Sequence, residues 1–339
     1  MVEPLAAPLA TGPAALPDFD AVHRRHPALA DFRRRLGGTA LVPLPGPVGG
    51  ATVLGKCEWE NPLGSIKDRV AYALLCSVLD EHGDRPAADL RLLEYSGGNL
   101  ARALGHLGSL VGVTLRFVLP AATPAAVVEE LAGRGVSVRL VDGARGFTGV
   151  IETALEIAAR EPEWRLLYQH RNRVNPAFQE ATTGQELIGQ LAGRVPAAWV
   201  ASIGSGGTLL GVRSALTTVN PGLLTVGVTP AELPYGSAQP PNGMPKYQGA
   251  TGLGDGLRQP FARCCEPELT HRQVGYREAL RGMAELRRLT GLTVGSSAAA
   301  NWLAACEVAD RLPPDAVVVT VLPDAGSAED WQRARQLDG

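Results

Sequence analysis

The sequence predicts an α/β protein of two lobes, each an open, mostly parallel twisted sheet flanked by helices. Short apolar segments alternate with helix-length ones from Thr52 to Leu322, and that alternation places parallel strands between covering helices. The 339 residues exceed one ordinary core, so two units of roughly 150 residues each are expected. Forty glycines complete the pattern, because such proteins use glycine at strand-to-helix turns, where ligands bind at the carboxyl ends of strands.

Taken in order, residues 1–17 (MVEPLAAPLATGPAALP) lack a basic start and are broken by prolines, and they read as a loose extension. Asp18–Leu36 has a basic helical pattern whose arginines form a solvated face. Gly37-Gly38-Thr39 then opens an extended segment, Ala40–Leu44. A strand over Thr52–Glu60 runs into Asn61–Arg69 and a helix from Asp68 or Val70 to Leu79. Further strands are expected at Leu90–Glu94, Val113–Leu119, Val136–Val141, Trp164–Gln169, Ala197–Ile203, Leu223–Val228 and Ala316–Leu322. Helices follow from Asn99 and over Pro124–Arg134, Gly146–Arg160, Phe178–Leu191, Thr208–Leu216, Tyr276–Thr290 and Ser297–Leu312. From Thr229 to Leu257 the chain is rich in Pro, Gly and Asn without periodicity, and a loop of that length is functional or mobile.

Composition narrows the class. With 45% hydrophobic and 19% charged residues and a net charge of −2, nothing draws the chain to nucleic acid or to a membrane surface. No apolar run reaches the roughly 18 residues that a membrane span needs. Cys57, Cys76, Cys264, Cys265 and Cys306 are odd in number and two are adjacent, which argues for reduced thiols and a cytoplasmic address. No Cys-x-x-Cys occurs, and only His23 and His26 share helical spacing, so no metal site is expected.

Four stretches carry possible chemistry. In NPLGSIKDR, Lys67 stands where a turn meets a helix N-terminus, a place that disfavours added positive charge. A lysine of depressed pKa is a Schiff-base former, and the competing reading is an exposed helix-start lysine. Gly204-Ser205-Gly206-Gly207-Thr208 is either a phosphate cradle, its N–H groups converging beside a helix start, or a plain glycine turn. It lacks the Gly-Lys-Ser/Thr of a Walker loop and the spacing of a dinucleotide fingerprint. Ser96-Gly97-Gly98-Asn99 is either a nest for a carboxylate or an Asn-capped turn. In Gly295-Ser296-Ser297, one serine suits an N-cap and the other a ligand.

An amine, a phosphate cradle, a carboxylate nest and a neutral hydroxyl are together what pyridoxal phosphate carrying an amino acid requires. NPLGSIKDR, EYSGGN, NPAFQEATTGQEL, GSGGTLLGV, GLGDGL, VGSSAAA and LPDAG also occur in the order of motifs in cysteine synthases and cystathionine β-synthases. Over Gly37–Gly326 the chain resembles this β-family, fold type II, of pyridoxal phosphate enzymes, whose fold is tryptophan synthase β-like. The resemblance implies that Lys67 holds the cofactor as an imine and moves the substrate Cα proton. It implies that Asn99 bonds the ring hydroxyl, that Gly204, Ser205, Gly206, Gly207 and Thr208 bind the phosphate, and that Ser296 faces the pyridine nitrogen. Ser96, Gly97, Gly98 and Gln169 would hold the substrate carboxylate as a smaller mobile lobe, 48–165, closes on a larger one formed by 18–47 and 166–339. A homodimer acting on small amino acids is the implied assembly.

A serine at the ring nitrogen leaves it largely neutral, whereas a carboxylate would keep it protonated and deepen the electron sink. The shallower sink favours prompt loss of a β-substituent from an activated serine such as O-acetylserine or O-phosphoserine. An aminoacrylate then accepts a nucleophile to give cysteine or a related β-substituted alanine, in two ping-pong steps. Three departures from the common cysteine synthase pattern bear on the substrate. Gly97 replaces Ser or Asn, Leu100 replaces Thr, and Asp255 in Gly-Leu-Gly-Asp-Gly stands where a small apolar residue is usual. Asp255 would favour an amine nucleophile over an anion, while Arg258 is expected to pair with it in solvent or to meet a phosphorylated leaving group. The alternatives are a 2,3-diaminopropionate synthase-like enzyme, a serine or threonine dehydratase, and a cofactor-binding but catalytically silent partner.

Overall fold

The computed structural model describes residues 9, 14–96, 98–233, 235–237 and 256–338. The basic segment expected as one helix is two, α1 (Phe19–Arg25) and α2 (Pro27–Arg35). Pro27 has no N–H to continue the first helix but suits the opening position of the second. β1 (Leu41–Leu44) and β2 (Thr52–Cys57) form a hairpin with Leu41 opposite Lys56. α3 (Lys67–His82) opens on the lysine itself and stops at Gly83, whose φ of +67° suits glycine.

The alternation then proceeds as expected through β3 (Arg91–Tyr95), α4 (Asn99–Val111), β4 (Thr114–Pro120), α5 (Ala125–Gly133), β5 (Ser137–Val141), α6 (Gly146–Arg160) and β6 (Trp164–Leu166). α7 (Val174–Gln179), a π-helical turn over Glu180–Gly184 and α8 (Gln185–Gln190) make one helical run that starts ahead of the expected Phe178. β7 (Ala198–Ser202), α9 (Gly207–Leu216), β8 (Leu224–Pro230), α10 (Pro260–Arg263), β9 (Leu269–Val274), α11 (Tyr276–Thr290), α12 (Ser296–Asp310), β10 (Val317–Leu322) and α13 (Ala328–Asp338) complete the chain.

Two sheets result. The larger runs β1-β2-β10-β7-β8-β9, parallel except for the β1–β2 hairpin, and the smaller runs β5-β4-β3-β6, all parallel. Every residue of β10 is buried, as a strand covered on both faces must be. One face of the larger sheet packs Val200, Val228 and Val318 against α11 and α12, and the other packs Trp199, Val319 and Val321 against Leu209 and Val212 of α9. The smaller sheet shares a core with α1–α4, where Phe32, Leu74, Leu104 and Phe117 meet.

Three sequence expectations are corrected. β2 lies within the span 48–165 expected for the smaller lobe, yet it pairs with β10 in the larger sheet, Val53 beside Val318. β6 ends at Leu166 instead of Gln169, because Tyr168 takes a φ of +60° and the chain turns out of the sheet. β9 and α13 were not expected at all. β9 (LTHRQV) is a sheet-edge strand with its middle side chains largely exposed, so its sequence lacks apolar alternation. The segment 1–17 falls mostly outside the described residues, as does 238–255, which covers most of the irregular stretch and Asp255.

Candidate active site

The segments that follow the carboxyl ends of β2, β3, β7 and β10 are joined by hydrogen bonds, and the glycine turns lie among them. Lys67 is the first residue of α3, and its Nζ donates to Gln169 Oε1 at 3.3 Å. The preceding turn is rigid: Asp68 accepts from Leu63 N at 2.6 Å, and Ser65 Oγ accepts from Lys67 N at 3.2 Å. Ile66 N donates to Pro323 O at 2.9 Å, which ties the lysine to the end of β10. Burial lowers the Lys67 pKa from 10.5 to about 8, partly opposed by the charge of Glu94. Glu94 itself is buried, which raises its carboxyl to about 8 although Tyr95 N and Gln169 N donate to it at 3.0 and 3.1 Å.

Gln169 is the hub of the site. Its Nε2 donates to Tyr95 O at 2.8 Å, and its backbone carbonyl accepts from Asn175 Nδ2 at 2.9 Å. The same Asn175 amide lies 3.1 Å from Ser205 Oγ, so hydrogen bonds run without a break from Lys67 to the glycine turn. Next to Gln169, His170 Nδ1 and Tyr95 OH meet at 2.7 Å with their rings stacked. Burial, then the Lys67 charge, drives the His170 pKa down to about 3, so this imidazole is neutral.

The glycine turn between β7 and α9 is shaped by close approaches. Gly206 has a φ of +83°, and a Cβ there would lie 2.9 Å from Ala262 N. A Cβ on Gly207 would overlap the Asn175 amide. Ser205 Oγ accepts from Gly207 N at 3.3 Å, and Gly204 and Thr208 are half-buried at either end of the turn. In the turn after β3, Ser96 Oγ accepts from Gly98 N at 3.0 Å and Ala101 N at 3.3 Å, while the Asn99 side chain makes no cap. Gly97 lies outside the described residues. Asn99 Nδ2 reaches Asp324 Oδ2 at 2.8 Å, and Asp324 O accepts from Gly295 N at 2.9 Å. Ser296 and Ser297 are both buried at the start of α12, neither capping it.

The structure therefore brings Lys67, Gln169 and Ser205 together through one network and links Asn99 to the Gly295 turn through Asp324. Glu94, Asn175, Asp324 and Asp330 were not singled out in the sequence. Three of them sit inside motifs that were visible there, EYSGGN, NPAFQEATTGQEL and LPDAG. Arg258 pairs with Glu266 at the surface, and Glu266 also accepts from Tyr235 OH at 3.1 Å; the expected partner, Asp255, lies outside the described residues. Among the described residues no group of three His, Cys, Asp or Glu side chains is placed to hold a metal ion, and no helix is long and apolar enough to cross a membrane.

The residues fit pyridoxal phosphate. A buried lysine of lowered pKa suits an aldehyde, a glycine turn opening a helix suits a phosphate, and Asn175 Oδ1 is a buried acceptor without a partner among the described residues. The family described as pyridoxal-phosphate dependent enzyme matches residues 33–324, and the chain belongs to it. It is an enzyme of the β-substitution type within that family. A cysteine synthase of Staphylococcus aureus is 31% identical over 297 residues, covering 86% of this chain and 92% of the relative. Among solved structures, the O-acetylserine dependent cystathionine beta-synthase from Helicobacter pylori is 26% identical with a TM-score of 0.76, covering 87% of this chain and 95% of that one. O-ureido-L-serine synthase, at 24% identity, has the same fold, with a TM-score of 0.76 over 91% of this chain and 95% of its own.

Proposed function

We propose that the chain performs β-replacement on an activated L-serine, O-acetylserine or O-phosphoserine, giving cysteine or a related β-substituted alanine. The observation that carries this reading is the continuous network from Lys67 through Gln169 and Asn175 to Ser205. It joins an amine, a side-chain amide and the glycine turn by one hydrogen-bonded path, which supports reading that turn as the phosphate cradle. The serine derivatives in the names of its relatives point the same way.

Bound pyridoxal phosphate supplies an electron sink for charge developing at the substrate Cα. Lys67 would hold the cofactor aldehyde and then carry the Cα proton, a task suited to a pKa of about 8. Gly204, Ser205, Gly206, Gly207 and Thr208 would bind the phosphate, Asn99 the ring hydroxyl and Ser296 the ring nitrogen. Ser96, Gly97, Gly98 and Gln169 would take the substrate carboxylate. Both bonds to Ser96 Oγ are accepted ones, which leaves its O–H for an anion. A cytoplasmic homodimer goes with this reading.

The test is to mix the cofactor-loaded protein separately with O-acetylserine, O-phosphoserine and serine while following the cofactor absorbance, then to screen sulfide, thiols and amines as acceptors. A substituted alanine formed only when donor and acceptor are both present supports the reading. Ammonia and a keto acid released without an acceptor would replace it with a dehydratase. No absorbance change with any donor would make the chain a silent cofactor binder.

A further inference from the structure

The residue that sets Gln169 in place is a buried acid near the end of β3. Glu94 and the Tyr95 that follows it are both fully buried. Glu94 Oε1 accepts from Tyr95 N at 3.0 Å and Oε2 from Gln169 N at 3.1 Å. Tyr95 O in turn accepts from Gln169 Nε2 at 2.8 Å. The carboxylate, the Tyr95 backbone and Gln169 thus close a ring of three hydrogen bonds. That ring decides which way the Gln169 amide is turned. A carbonyl oxygen only accepts, so the amide nitrogen faces Tyr95 O and Oε1 is left for another donor. There it meets Lys67 Nζ at 3.3 Å.

A free Lys67 amine that takes up a proton becomes a cation where burial disfavours charge, and the Glu94 charge opposes that effect. The converse holds for the acid. Burial works against its charge, while the N–H groups of Tyr95 and Gln169, the charge of Lys67 and the Tyr168 N–H favour it. We propose that Glu94 is a positioning residue: by gripping Gln169 and by its own charge, it keeps the free Lys67 amine, once protonated, at Gln169 Oε1. This rests on the reading that Lys67 carries the substrate Cα proton, and it adds where that proton is held. Gln169 Nε2 keeps a second N–H, so the same amide can still serve a substrate carboxylate. The other titratable or charged groups around the pair are His170, Tyr95, Tyr168 and Arg171. His170 is neutral, burial pushes the Tyr95 phenol well above its usual range, and Arg171 brings a fixed positive charge to bear on Tyr95.

The experiment reads the Lys67 amine itself. The chain has three lysines, Lys56, Lys67 and Lys246, so acetylation by a trace of acetic anhydride can be scored at each by mass spectrometry. The full chain, freed of cofactor, is labelled over a series of pH values in the wild type, Glu94→Gln and Glu94→Asp. In the wild type, Lys67 labelling should rise with a midpoint near 8. Glu94→Gln removes the charge but not the bulk, so the amine should lose its proton at lower pH and label at neutral pH roughly threefold faster or more. Glu94→Asp keeps the charge and should stay closer to the wild type than to Glu94→Gln. An unmoved midpoint in Glu94→Gln, or an equal shift in Glu94→Asp, overturns the proposal. Should Glu94→Gln not fold, the coupling is read from the acid's side in protein carrying ¹³C at its glutamate carboxyls. The Glu94 resonance should titrate at higher pH in Lys67→Met than in the wild type, because the coupling is reciprocal. A midpoint that does not move overturns the proposal. Borohydride reduction of the cofactor-loaded wild type tests the underlying reading separately. Cofactor trapped on another lysine sinks the role given to Lys67, whereas cofactor on Lys67 together with a moved midpoint supports the proposal.

Discussion

Asn99 Nδ2 and Asp324 Oδ2 lie 2.8 Å apart, and that bond joins the two sheets. Asn99 opens the helix after β3 in the smaller sheet, and Asp324 follows β10 in the larger one. Asp324 also binds Gly326 N at 2.9 Å through Oδ1 and forms an isolated bridge with Ser65, two residues before Lys67. Through its carboxylate and its backbone together, Asp324 thereby references the glycine, lysine and asparagine segments to each other. Asp324→Ala is expected to leave the fold intact but to speed hydrogen exchange of the amides around Gly98–Ala101 by at least tenfold and to weaken cofactor binding. Unchanged exchange would show that the bond does not hold α4 in place.

The lysine pKa sets a pH dependence for cofactor loading. With a value of about 8, roughly one Lys67 amine in ten is neutral at pH 7, against fewer than one in a thousand at 10.5. The rate at which cofactor-free protein captures pyridoxal phosphate should climb with pH and level off just above 8. A rate still climbing at pH 10 would mean that the amine is not desolvated. Lys67→Ala should abolish substrate Cα–H exchange, and an unchanged rate would remove Lys67 from the chemistry.

Gly207→Ala places a methyl group against the Asn175 amide, which is itself held by Gln169. Forcing that contact is expected to cost about 1–3 kcal/mol, read as a lower denaturation midpoint together with weaker cofactor binding. In the double variant with Asn175→Ala the stability loss should shrink. Equal losses with and without Asn175 would mean that the clash is relieved elsewhere.

A buried ion network ties β2 and α3 to α8 beneath the site. Arg69 Nε bonds Glu58 Oε2 at 2.7 Å, Arg69 Nη1 bonds Glu186 Oε1 at 2.7 Å, and Lys56 Nζ reaches Glu186 Oε2 at 2.8 Å. Arg69→Met would strand Glu58, which is fully buried, and removal of one partner from such a pair costs about 3–5 kcal/mol. Burial alone would raise the Glu186 pKa, but Arg69 and Lys56 outweigh it and hold the group at about 2, below its usual 4.5. Its contribution is therefore complete above pH 4.5 and is lost as pH falls toward 2. Urea midpoints measured across that range should fall more steeply for the wild type than for Glu186→Gln, and parallel slopes would contradict the assignment.

Much of this protein was legible in its residues. Local periodicity gave nearly all the buried strands and their helices, because a strand covered on both faces is a run of apolar residues and little else matches it. Glycine turns at strand ends, and the placement of Lys67 at the head of α3, follow from chain-local steric and dipole rules. What periodicity could not supply is pairing. Nothing in TVLGKC says that β2 joins β10, so the boundary between the lobes fell on the wrong side of it. The edge strand β9 and the polar helix α13 are held by contacts with distant residues and carry no local signal of their own.

The sequence by itself pointed to the cofactor class and offered Lys67 and three glycine-bearing turns as candidates, since these depend on residue type and order along the chain. Only the tertiary structure decided that Asn175 bridges Gln169 to Ser205 and that Asp324 binds Asn99. Apart from the Asn175–Gln169 bond, which spans six residues, these contacts join side chains far apart in sequence, and burial makes an unshared hydrogen bond costly. Such partners are selected by folding, and single-chain patterns do not record them.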